Sequence, residues 1–454
     1  MTSRTRLALV VTRAGLGVRS ARRFVTTVCC GIGGMRERHV PLRRLVLGWL
    51  SRDGVRNEFH PCGHLQDVWL RSGVAVRPIA ICLAAGSLLS ADSARAQRIA
   101  FHPTEENLRA TGPVTMVSRS DTTAGIVALD RMALRLRRAV RSDSIGELDG
   151  DINTALGTIM DVAIDARGRI FVLDMAFQTI RVFGPDRKFL FNIGQKGSGP
   201  LDFQFAVALW PERADGIVVV DAVLGAKYLR VGDKGVTRLS RVVMPQGNPT
   251  GACGAVGVLH TYAPVKVGSS AEYAAISQYN RDGMFVRAFG DTYRAATPLV
   301  RDIMSEGIIG CMPDGTVTSS LSKLPFVRGY SSVGALKWTV RFKDFIIGKE
   351  SEETDKDKRH SIGVDPNNPT RSYIRRITPL DSRFAAVQVA LMTPKSLRDR
   401  SLWAQVDTYV VDVQSGRAAY ASSRLPLLTA QSGERLVGFE GDPFPRVVFL
   451  QLPR

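Results

Sequence analysis

Histidine and cysteine are scarce, with six of each in 454 residues. Beyond residue 97 the only nitrogen or sulfur metal ligands are His102, His260, His360, Cys253 and Cys311. Zinc sites draw about four ligands from such groups, and catalytic ones keep about three from the protein. So short a supply argues against a three-histidine zinc centre. The chain also lacks a Ser-His-Asp order, a phosphate-binding Walker loop and a glycine-rich dinucleotide fingerprint. Lysine is missing from residues 1–97, where 15 arginines face five acidic residues. No apolar stretch approaches the ~20 residues that a bilayer-spanning helix needs.

The formal charge of +19 suggests an anionic partner at first sight. More than half of that excess sits in residues 1–97, and the remaining chain carries a net +9 over 357 residues. A body so weakly basic reads as an ordinary soluble surface. Near Arg77 the composition changes. The run from Ile79 to Leu89 has the length of a signal-peptide core, and Ala94-Arg95-Ala96 places small residues where a signal peptidase reads, just before Gln97. Residues 74–96 are therefore expected to be a signal peptide, with export to the periplasm or beyond. Residues 1–73 read as an upstream segment from a start codon set too early, with Val74 or Val76 near the true start. Within it, Arg22-Arg23 faintly resembles a twin-arginine signal, and His60, Cys62 and His64 offer too few ligands to complete a metal site. Ile81 stands where a lipoprotein signal at Cys82 would need a small residue.

From Asp161 onward, short apolar runs alternate with turn residues. Val162-Ala163-Ile164, Ile170-Phe171-Val172-Leu173, Ile180-Arg181-Val182-Phe183 and Phe189-Leu190-Phe191-Asn192-Ile193 are separated by Asp, Gly and Pro clusters. Continuous apolar runs of this length fit strands buried on both faces. The sheets of a propeller blade are buried in this way, because neighbouring blades cover them. Weaker copies follow at roughly 40–50 residue spacing, the blade range. They are marked by Gly216 to Asp221, Ala275 to Gly290, Ile308 to Val317, Ile374 to Gly416 and Leu436 to Leu450.

The stretch Asp161 to Phe203 resembles an NHL repeat. The resemblance lies in Ala163-Ile164-Asp165-Ala166-Arg167-Gly168, Phe171-Val172-Leu173-Asp174, Ile180 to Phe183 and the link Gly194 to Pro200. Leu201-Asp202-Phe203 departs from the Gly-Glu-Phe common in that family. The resemblance implies an all-β, six-bladed propeller of four-stranded antiparallel blades. It also implies a channel in which some relatives hold calcium or zinc, and a basic face through which others bind RNA.

The sixth blade is short of strands at the C-terminus. The alternating apolar residues between Gly125 and Val140 are expected to supply its outer strand and close the ring. The expected propeller thus covers 125–454, preceded by an arm over 97–124 and interrupted by a charged solvent loop at 349–371. Asp161 and Glu306 precede inner strands and are candidates for the channel mouth. They leave weak calcium binding open, since calcium takes about six to eight oxygen ligands. Asp174 and Asp221 share one repeat position and are expected to shape turns. Cys253 and Cys311 fall in adjacent blades, where they either pair in an oxidising compartment or remain separate buried thiols.

These readings point to an exported binding or scaffold propeller with no cofactor, presenting one face to a peptide, glycan or protein. Export argues against nucleic acid. The alternative is a channel-centred, calcium-assisted hydrolase or lyase resting on Asp161 and Glu306. N-terminal sequencing of the exported protein is expected to return Gln97 or a close neighbour. A stable product that keeps residues 1–70 would contradict export.

Overall fold

A computed structural model describes residues 97–453, apart from 149, 151–152, 213–214, 256, 269–271, 355–359, 366 and 399–402. The segments 1–73 and 74–96 lie outside the described residues.

Strands β1 (Gln97–Phe101) and β2 (Val114–Val117), helix α1 (Val127–Arg137) and strand β3 (Val140–Ile145) precede the first blade. That blade is β4 (Ile159–Ile164), β5 (Ile170–Asp174), β6 (Thr179–Phe183) and β7 (Phe189–Ile193). The second is β8 (Ala206–Glu212), β9 (Gly216–Asp221), β10 (Gly225–Val231) and β11 (Val236–Val243). The third is β12 (Gly251–Ala255), β13 (Val258–Lys266), β14 (Tyr273–Tyr279) and β15 (Phe285–Phe289). Helix α2 (Pro298–Met304) leads to the fourth, β16 (Gly307–Cys311), β17 (Val317–Leu321), β18 (Phe326–Tyr330) and β19 (Leu336–Phe342). After β20 (Glu350–Thr354) and β21 (His360–Val364) come β22 (Arg371–Pro379) and β23 (Phe384–Met392) of the fifth blade. Helix α3 (Pro394–Arg398) then precedes its last strands, β24 (Gln405–Asp412) and β25 (Ala418–Ser422). The sixth blade is β26 (Leu427–Ser432), β27 (Arg435–Glu440) and β28 (Arg446–Gln451), with β3 as its outer strand.

The first strands of successive blades touch one another around the ring, and β26 touches β4. The protein is a closed six-bladed β-propeller. Its apolar runs are explained by the two faces of each blade. In β5, Phe171 and Leu173 pack with Leu209 and Val219 of the second blade, whereas Ile170 and Val172 pack with Val437 and Phe449 of the sixth. Alternate side chains of one strand therefore fill two different cores, which is why the strand reads as uniformly apolar. Its hairpin with β4 turns at Gly168, whose φ of +77° disfavours any side chain.

Three expectations change. First, a strand from the N-terminal region does close the ring, but it is β3 and not the segment around Val127 to Leu136. β3 runs antiparallel to β28, from Ile145 opposite Val447 to Val140 opposite Gln451. Residues 127–137 form a helix, in which Leu129, Met132, Ala133 and Leu136 are buried while Val127 is 75% exposed. That spacing is helical, and the buried stripe packs on Val410, Ala419, Leu436 and Val448 of the last two blades. Second, the arm is built into the structure: β2 adds a fifth, parallel strand to the fourth blade, beside β19. Third, the charged segment 349–371 is not simply a loop. β20 and β21 pair as a hairpin, and β1 joins β20 to make a three-stranded sheet outside the blades.

Deleting residues 140–145 is expected to expose the β28 edge, abolish cooperative unfolding and promote aggregation. Thermal denaturation followed by circular dichroism and light scattering checks this, and a parent-like transition would refute the closure.

Candidate functional site

All six inner strands start on one side of the ring, so the two faces carry different connections. On one face lie the hairpin turns between first and second strands, such as 165–169 and 312–316, and between third and fourth strands, such as 184–188 and 331–335; these are tight. On the other lie the links between blades and the turns between second and third strands. The long insertions are there: 290–306 with α2, 343–370 with β20 and β21, and 393–404 with α3. Long connections on a rigid scaffold are where binding groups concentrate. This face is the candidate site.

A cleft of about 730 Å³ on it is walled by the arm, the 290–306 link and the strand ends of the third and fourth blades. Arg328 on β18 is buried at its floor and pairs with Asp291 at 3.3 Å. Arg301 of α2 stacks over the Tyr273 ring, with its guanidinium carbon 3.6 Å from the centroid. At the rim Arg294 pairs with Glu106, and the Asn107 side chain both donates to the Arg294 carbonyl at 2.9 Å and accepts from its N–H at 2.8 Å. The arm is thereby latched to the link. Burial raises the Tyr293 phenol above its usual range, with a smaller contribution from the Glu350 carboxylate.

Charged groups continue from this cleft toward the centre of the ring. Buried Glu350 pairs with buried Arg371 at 2.6 Å. Burial raises the Glu350 pKa, against the pull of Lys323 and Arg371. Lys323 also reaches Glu306 at 3.7 Å. Arg375 lies over Trp403 at 4.9 Å, and Trp403 meets Tyr373 edge-on at 6.1 Å. Arg375 is accessible to solvent but hemmed in by protein, and desolvation, with Arg376 beside it, lowers its pKa. Trp403 also lines a smaller cavity of about 220 Å³ together with Phe439 and Asp442.

Asp161 and Glu306, chosen from sequence, both lie on this side but do not converge. Asp161 is held by Arg376 of β22, across the ring interior, and its other oxygen accepts from the Leu209 N–H at 3.0 Å. Three blades are thus tied at one carboxylate. Arg376 already supplies one positive charge at Asp161, and neither Asp161 nor Glu306 belongs to a group of three or more His, Cys, Asp or Glu residues among the described residues. Arg376 carried no signal in sequence, because its partner Asp161 lies on another blade, 215 residues away. Asp174 and Asp221 are fully buried. Asp174 accepts from the amides of Gly157, Thr158 and Ala176, and Asp221 from those of Gln204, Phe205, Val223 and Leu224. Each clamps the link entering its own blade to the turn that follows its second strand.

Cys253 and Cys311 form a disulfide, with Cα atoms 5.5 Å apart, joining the inner strands of the third and fourth blades. His260 faces Cys253 across the β12–β13 pair. Its Nδ1 lies 3.5 Å from the Cys311 sulfur, and its Nε2 has no hydrogen-bond partner. Three of the scarce nitrogen and sulfur ligands meet here, because one strand pairing brings two together and the next blade supplies the third. His102 is exposed elsewhere on the arm.

No protein-family model matches the chain, and no curated protein matches it. Among solved structures it is similar to an exported-protein candidate from Bacteroides fragilis, at 11% identity and TM-score 0.44 over 75% of this chain and 100% of that one. It is also similar to a DUF4221 family member from Bacteroides vulgatus, at 9% identity and TM-score 0.42 over 69% of this chain and 97% of that one. A third is virginiamycin B lyase from Staphylococcus aureus, at 11% identity and TM-score 0.37 over 68% and 99% of the two chains. The propeller itself rests on the sheet topology, and the NHL likeness rests on the residues of the first blade. Among the described residues no helix is long and apolar enough to cross a membrane.

Burial lowers the His260 pKa from 6.5 to about 4. The folded state therefore binds fewer protons than the unfolded chain between those values, and stability rises with pH across that window. Acidifying the oxidised protein from pH 7 to pH 4 is expected to remove about 3 kcal/mol through this residue. Urea titrations of the parent and of His260→Leu at both pH values check it. Equal pH dependence in the two proteins would show that His260 contributes nothing.

Proposed function

We propose that the protein is an extracytoplasmic binding propeller whose insertion-bearing face holds a short oligosaccharide in the cleft over the third and fourth blades. The observation that carries this reading is the lining of that cleft. Guanidinium groups of Arg109, Arg294, Arg301 and Arg328 line it together with the carboxylates of Glu106, Glu272 and Asp291. Arginine only donates hydrogen bonds and an ionised carboxylate only accepts them. A wall that offers both, with neither charge in large excess, suits ligands whose groups donate and accept at each position. Sugar hydroxyls do this.

The volume of about 730 Å³ lies in the size class of small-molecule sites. Many peptide-binding grooves rely on free sheet edges or apolar pockets for side chains. Leu321 is the one large aliphatic side chain in the lining, so a peptide has little to anchor it. The disulfide supports an oxidising compartment, in keeping with the leader read from sequence. The channel-centred hydrolase or lyase is less well supported, since Asp161 is engaged by Arg376.

Screening the purified protein on an oligosaccharide array, followed by calorimetry, tests the proposal. Arg294→Ala removes a side chain that is 73% exposed and should leave the melting temperature unchanged. It is expected to weaken binding of any array hit about tenfold, or about 1.4 kcal/mol. Absence of array hits, or hits indifferent to Arg294→Ala, would overturn the assignment.

A further inference from the structure

The convergence of Cys253, His260 and Cys311 has no role in the cleft or in the oligosaccharide reading. Their ligand atoms all lie within 4.8 Å of one another. Cys311 and His260 are buried, at 8% and 3% exposure, and Cys253 is half-buried. A disulfide alone accounts for the two sulfurs. It does not account for a polar imidazole placed against them in a blade interface, with Nδ1 aimed at sulfur and Nε2 unpartnered. An apolar side chain would fill the same space without leaving a buried nitrogen unsatisfied, which costs about 1–3 kcal/mol.

We propose that these three residues form a redox-gated metal site: the disulfide is the closed state, and the dithiol binds one zinc ion through both sulfurs and His260 Nδ1.

The geometry already present suits this role. With Zn–N of about 2.0–2.1 Å, Zn–S of about 2.3 Å and a tetrahedral angle, an imidazole nitrogen and a thiolate sulfur stand about 3.5 Å apart. Nδ1 and the Cys311 sulfur are 3.5 Å apart now. Opening the two sulfurs to about 3.8 Å completes three corners of the tetrahedron. Rotation of the half-buried Cys253 side chain is the simplest way to do this. Zinc-binding histidines commonly donate their other N–H to an oxygen nearby. Gln278 is the residue paired with His260 on the next strand, and its buried Oε1 has no partner. It is suited to accept from Nε2–H once Nδ1 binds the ion.

The chemistry balances with a dithiol reductant. Its two electrons break the S–S bond, and its own sulfurs become a disulfide. Zinc then displaces the two thiol protons, and water takes the fourth position. A disulfide-bearing oxidant removes two electrons from the thiolates, re-forms the bond between Cys253 and Cys311, and releases zinc.

The test uses the 97–454 chain in its oxidised form and after reduction with a phosphine that is then removed. Zinc uptake is read with a chromophoric indicator, and cobalt substitution is read by its thiolate charge-transfer absorption. The reduced protein is expected to bind about one zinc per chain and the oxidised protein none. His260→Ala is expected to weaken binding at least tenfold. The Cys253→Ser/Cys311→Ser double variant keeps the positions without the sulfurs and is expected to bind none and to show no charge-transfer band. Equal zinc uptake by the reduced parent and the double variant would overturn the site. So would a reduced parent that, with zinc present, has lost the near-ultraviolet circular dichroism of the oxidised protein.

Discussion

The pairing of β3 with β28 is the constraint on which the rest of the molecule depends. Each blade has apolar side chains on both faces, so no blade can be left without two neighbours. A propeller cut open between its last and first blades would expose the faces represented by Val437 and Phe449 on one side and by Ile170 and Val172 on the other. Building the sixth blade from both ends of the folded region prevents this opening, since the blade can form only when the ends meet. Helix α1, immediately before β3, adds a second fastening by packing across the last two blades. Non-local closure of this kind carries an entropic cost, but each doubling of the loop adds only about 0.6 kcal/mol. The apolar area that it shields outweighs a term that small.

Once the ring is closed, the direction of the strands decides where function can reside. Tight hairpins occupy one face and leave no room for elaboration. The opposite face receives the links between blades, which can lengthen without disturbing a ladder. The arm, α2, the β1–β20–β21 sheet and α3 all gather there. The ring also explains why charge can be buried on that side. Arg376 reaches Asp161 over the sixth blade, and Arg371 is enclosed with Glu350 under the extra sheet. Both pairs join separate parts of the chain, and pairing offsets the cost of burying charge.

The blade architecture was legible in sequence because it is local. The first blade contains every signal within itself: four apolar runs, a turn at Gly168 and a link ending near Phe203. Asp161 was expected just before an inner strand and lies within one, the third residue of β4. What could not be read depends on partners far away in the chain. The residues between Val127 and Leu136 fit an alternating pattern loosely and a helical one better, and the exposure of Val127 and Leu134 with the burial of adjacent Met132 and Ala133 separates them. The segment 349–371 looked like a loop because its charges hid a hairpin whose third strand, β1, is supplied by the arm. Arg376 and His260 were inconspicuous because Asp161 and Cys311, which they meet, lie 215 and 51 residues away.

Native-state hydrogen exchange across residues 140–145 and 446–451 is the most direct measurement of the closure. If the ring depends on this seam, the amides that bond β3 to β28 should exchange only through global unfolding, with the same free energy as those of the fully buried strands β5 and β9. Exchange of β3 at a markedly lower free energy than β9 would mean that the seam opens on its own, and the account of a ring held shut by its two ends would be contradicted.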